Sequence, residues 1–111
     1  MAPEVPAAAL ELRTLVTAEG TLELSLAEAP VPVPTGNQVL VRLDAAPINP
    51  TDLMHFLVGT DMSAAKFTGA PDRPVVTAEL AEDTFRRLAG RVGNSLPAGV
   101  EGAGTVVAAG D

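Results

Sequence analysis

Residues 38–59 read QVLVRLDAAPINPTDLMHFLVG, and they change period halfway along. In the first half, Val39, Val41 and Leu43 alternate with Leu40, Arg42 and Asp44. That two-residue period predicts a strand over 38–46. In the second half Asn49 suits a helix cap, Pro50 suits the first helical position, and Asp52 falls three residues after the cap. An acidic side chain there completes a capping box and favours the positive end of the helix dipole. A short helix over 50–59, closed by Gly59, follows. Asn49, Pro50 and Asp52 are thus explained by local structure before any chemistry is invoked.

Around this strand-to-helix switch the chain reads as short β elements. LRTLVTAEG (12–20) and TLELSLAEAP (21–30) form two strands with Gly20 in the turn, and Leu22, Leu24 and Leu26 alternate with Glu23 and Ser25. The segment 30–38 carries prolines that withhold ladder donors, so it is extended edge rather than central strand. Residues 60–76 read as loop. TAELAEDTFRRLAGRVG (77–93) reads as a second helix, with Leu80, Thr84, Phe85 and Leu88 on one stripe and Glu82–Arg86 and Asp83–Arg87 as i,i+4 pairs. A Gly-rich turn then leads to a strand at about Thr105–Ala109, while residues 1–9 are expected to be flexible. The fold class is mainly β with short helices.

Composition narrows the chemistry. Ten Pro and ten Gly in 111 residues favour turns and short elements, and three Phe with no Trp or Tyr leave the core to Val, Leu, Ala and Ile. Seven basic residues against fourteen acidic ones argue against a nucleic-acid partner. With no Cys, disulfides, thiolate metal sites and Cys nucleophiles are excluded. The single His55 cannot form a multi-His metal site, and as the one candidate base for Ser25, Ser63 or Ser95 it reads better as a packed or partly exposed helix residue. No apolar stretch reaches the roughly 18 residues a membrane span needs, so the expectation is no membrane partner and a cytoplasmic location.

Two further features invite functional readings. The glycines of GVEGAG (99–104) precede a β-like run instead of a helix, and their spacing is not that of a dinucleotide fingerprint, so close backbone packing or a bulge accounts for them. Glu101 lies among Gly, Val and Ala; if buried it would need a partner, and structural and functional roles both stay open.

Taken together, VLVRLDAAPINPTDL (39–53) and LPAGVEGAGTVVAAGD (96–111), with the strands before them, resemble the N-terminal catalytic domain of medium-chain dehydrogenases/reductases. The nearest branch is the zinc-independent quinone oxidoreductases, and the likeness covers most of 12–59 and 96–111. It implies a GroES-like, partly open β-barrel over residues 10–111, truncated here, with a longer-than-usual helical insertion at about 62–95. It also implies a following Rossmann domain, absent from this chain, that would bind NADPH or NADH. The implied activity is hydride transfer to a quinone or α,β-unsaturated carbonyl, and the 111-residue chain alone would be inactive.

Zinc-dependent relatives carry a Cys ligand at the position of Asn49 and a His ligand at Val100, so no zinc is expected here. Glu101 matches a Glu near that metal, and its retention implies a structural role beside Val100. Asn49 and Asp52 would line the cleft wall on the nicotinamide side, with Asn49 donating a hydrogen bond to cofactor or substrate. The catalytic residues themselves are not identified by the likeness. The Tyr proton donor of some related enoyl reductases has no counterpart, which leaves water or another domain to protonate product. The partner expected is a small-molecule substrate, with homo-oligomer formation through unpaired strand edges. The alternative is a stand-alone GroES-like interaction or small-molecule-binding module without catalysis.

Overall fold

The computed structural model describes residues 4–111, and for His55 and Phe56 the backbone alone. The chain is mainly β with short helices. Strand β1 (Ala8–Val16) and β2 (Thr21–Pro30) form a long antiparallel hairpin closed through Thr17 and Gly20. Strand β3 (Val39–Ala45) leads into helix α1 (Pro50–Leu57). A short 3₁₀ turn (Met62–Ala64) precedes the hairpin of β4 (Lys66–Ala70) and β5 (Arg73–Glu79). Helix α2 (Glu82–Arg87), a second 3₁₀ turn (Ala89–Arg91), β6 (Leu96–Pro97) and β7 (Ala103–Ala109) complete the order.

These strands make two sheets. One is five-stranded in the order β4-β5-β2-β1-β6, and the other is the ribbon β3-β7. The sheets do not close on each other, so the architecture is open. The register explains where the core sits: Val16 lies opposite Leu22 on β2, and Leu22 lies opposite Ala78 on β5. That single cross-strand row supplies all the buried apolar residues among those described. The polar residue Thr14, opposite Leu24, is buried in the next row, and Val76 completes that row on β5.

Such a core is small for the chain. The radius of gyration is 16.5 Å, where a compact domain of this length has about 13 Å. The accessible surface is 7752 Å², against about 5,700 Å² for a compact monomer of the same mass. Large apolar side chains lie on that surface: Val39, Val41, Leu43 and Val106 of the ribbon are all exposed, and Phe67 on the edge strand β4 is 75% exposed.

Several expectations need correction. Residues 1–9 are not uniformly loose: Ala8 and Ala9 pair with Pro30 and Ala29, and the Ala7 carbonyl accepts from the Val31 N–H at 3.0 Å. The expectation for residues 1–3 lies outside the described residues. The segment 62–95 is not a helical insertion. Its first half is a β-hairpin, and Thr77–Glu79, read as the start of a helix, belong to β5.

The physical reason is long-range pairing. β2 offers an unpaired edge to which Val75–Glu79 add from Ser25 to Thr21, and β-branched Val75, Val76 and Thr77 suit that strand. Pro74 sits opposite Gly69 beyond the last β2 pair, where its missing N–H costs no ladder bond to β2. The helix that remains is confined to Glu82–Arg87. The Glu82–Arg86 pair forms at 3.7 Å on the surface, but Asp83 instead accepts from the Thr84 N–H at 2.9 Å and Arg87 donates to Thr84 Oγ1 at 3.2 Å.

Candidate ligand cleft

The turn from β3 into α1 is built as its sequence suggests. Asn49 has the extended backbone of a cap residue, with Pro50 opening the helix. The Asn49 N–H donates to Asp52 Oδ2 at 2.8 Å, and the Asp52 N–H donates to the Asn49 carbonyl at 2.9 Å. Asp52 is buried, 7% exposed. At the other end Gly59 takes a φ of +80°, and a Cβ there would overlap the Thr84 side chain. The turn that follows α1 therefore passes directly against α2 at a position that only glycine accommodates.

The loop 98–102 is held opposite by β1. Arg13 donates from Nε to Ser95 Oγ at 3.0 Å and from Nη2 to the Ser95 carbonyl at 2.6 Å, and its Nη1 reaches Glu11 Oε2 at 2.6 Å. β6 pairs with β1 beside this clamp, and the Ala98 N–H donates to the Leu12 carbonyl at 2.9 Å. From the far side, β7 approaches β3 so closely that a Cβ on Gly104 would run into the Arg42 carbonyl. Register shifts flank this stretch of the ribbon. The expectation of bulging and close packing at these glycines thus has a specific cause in Gly104.

Between these walls lies a cleft of about 780 Å³. Ile48, Leu53, Leu57 and Val100 line it, together with Leu12 and Leu24 from the five-stranded sheet. Residues from both motifs, 46–53 and 97–102, therefore meet at one place. Asp52 lines this cleft, and its Oδ1 is buried without a hydrogen-bond partner among the described residues. Asn49 is not among the lining residues; its Nδ2 donates to Glu101 Oε2 at 2.9 Å, which commits one amide proton to the protein itself. Glu101 and Val100 are exposed, so the condition under which Glu101 would need a partner, burial, is not met.

No family model matches the chain. No curated protein is a significant match either.

Leu10, Leu12 and Leu24, together with Glu11, are cleft residues that sequence reasoning missed. The available signal was the alternation of β1, which marks Leu10 and Leu12 as one face, but nothing local says that this face meets α1. Among the described residues no group of three or more His, Cys, Asp or Glu side chains is gathered as a metal site would require. The reading of His55 as a packed or partly exposed side chain falls outside what is described, although its backbone lies in α1. No helix of the described residues is long and apolar enough to cross a membrane.

Proposed function

We propose that the chain is the substrate-side domain of a zinc-independent, NAD(P)H-dependent oxidoreductase that reduces a quinone or an α,β-unsaturated carbonyl, working in the cytoplasm. The observation that carries this reading is the convergence of 46–53 and 97–102 on one apolar cleft, tied by the Asn49–Glu101 hydrogen bond. The cleft volume falls within the roughly 300–1,000 Å³ usual for small-ligand sites.

In this reading the cofactor supplies the hydride, and the residues of this chain exclude water and orient the acceptor. Ile48, Leu53 and Val100 suit an uncharged nicotinamide or quinone ring. The diphosphate does not fit here, because the cleft carries Glu11, Asp52 and Glu101 and no Lys or Arg. A separate nucleotide-binding domain would hold it.

NADPH oxidation by the natural gene product, with 1,4-benzoquinone and an enone as acceptors, tests the reading alongside intact mass. Turnover by a product well above 11.3 kDa is expected. A product of that mass that binds no nicotinamide nucleotide overturns the enzyme reading. The second reading, a binding or interaction module without catalysis, draws on the exposed apolar side chains of the β3-β7 ribbon and β4.

A further inference from the structure

The charged residues of the cleft are not equivalent. Glu11 is neutralised by Arg13 at 2.6 Å. Neither Asp52 nor Glu101 has a Lys or Arg partner among the described residues. The Asp52 carboxylate lines the cleft nine-tenths buried, one oxygen taken by the Asn49 N–H and the other, Oδ1, without a partner among the described residues. A buried acceptor left unpaired carries a desolvation cost that a ligand donor can relieve. Glu101 stands at the rim, anchored by Asn49 Nδ2 so that its charge is held beside the opening.

Apolar walls weaken screening around the buried Asp52, so an anion entering the cleft passes the Glu101 charge at its mouth and meets a like charge inside with no Lys or Arg beside it. We propose that this cleft selects by charge, accepting neutral or cationic apolar ligands, holding most tightly those that also bear a hydrogen-bond donor, and rejecting ligands with a carboxylate or phosphate at that end. This rests on the cleft being the ligand site of the proposed function, and it adds to that reading which members of the substrate class enter. Asp52 acts as the acceptor for the donor, and Glu101 as the charge that repels anions.

The test uses three ligands with one ring system: 2-naphthylmethanol, 2-naphthylmethylamine and 2-naphthoate. Each is titrated into the 111-residue chain at low salt, with binding followed by calorimetry and by ligand-observed NMR. The alcohol and the amine are expected to bind, and the naphthoate to bind at least tenfold more weakly than the alcohol. In Glu101→Gln and in Asp52→Asn, which keeps an oxygen for the Asn49 N–H, the gap should narrow several-fold, as it should for the unaltered chain in 0.5 M NaCl.

Equal binding of naphthoate and alcohol overturns the charge rule while leaving the cleft as a ligand site. If none of the three binds, both the rule and the cleft as ligand site fall. Charge selection without NADPH oxidation in the natural gene product sinks the reductase reading and upholds the rule.

Discussion

Asn49 Nδ2 and Glu101 Oε2 lie 2.9 Å apart although 52 positions separate them in the chain. The same Asn49 uses its backbone N–H for Asp52, so one residue both starts α1 and ties it to the loop before β7. Helix start and cleft geometry are therefore coupled through a single side chain. Replacing Asn49 by Ala should cost about 1 kcal/mol, the usual scale for losing a cap residue or one hydrogen bond. Urea unfolding gives that number. Amide exchange at Val100 to Gly102 should also accelerate, and unchanged exchange there would show that the tie does not restrain the loop.

Gly59→Ala should be far more costly than an ordinary helix-end substitution. The φ of +80° strains any L-residue, and the new Cβ would meet Thr84. A loss above about 2 kcal/mol is expected. Thr84→Gly in the same chain should recover the steric part and leave the backbone part, so a double-mutant cycle with strong coupling is the result to look for.

The row Val16–Leu22–Ala78 concentrates the buried apolar surface on three neighbouring strands. Leu22→Ala removes its central member and should cost about 2–5 kcal/mol. With so thin a core, that loss approaches the whole stability of a small domain. Loss of cooperative thermal unfolding by circular dichroism is expected. Leu43→Ala on the exposed ribbon should stay within about 0.5 kcal/mol.

Two exposed carboxylates link the fold to pH. Arg42 holds the Asp44 carboxyl below its ordinary value through a hydrogen bond and its charge, with Thr105 adding a weaker bond, and the Ser63 hydroxyl and N–H lower that of Asp61. Folded values below unfolded ones mean that both contributions are present above the unfolded pKa of about 4. They are lost as pH falls through the folded values. Thermal midpoints should therefore decline below about pH 4, with Asp44→Asn and Asp61→Asn reducing the slope. A slope unchanged in both variants would assign the acid sensitivity to other groups.

Local signals carried as far as local interactions reach. The alternation of Leu22, Leu24 and Leu26 and the turn at Gly20 marked the β1-β2 hairpin, and Asn49, Pro50, Asp52 and Gly59 marked both ends of α1. Those signals act within about ten residues, through side-chain period, cap geometry and backbone conformation. The cleft was legible in part, because 46–53 and 97–102 could be singled out as stretches. That they line one cleft together with Leu10, Leu12 and Leu24 was not.

The fate of 62–95 was decided by tertiary structure. The helix expected over 77–93 lost its first residues because the open edge of β2 pairs Thr77 to Glu23 and Ala78 to Leu22. A strand already formed offers a full ladder of hydrogen bonds and an apolar row, which outweighs the few tenths of a kcal/mol per residue that separate helix and strand propensities. The sequence by itself determined where the chain turns, caps and alternates. Only the tertiary structure determined which alternating faces meet, because burial and strand pairing depend on partners remote in the chain.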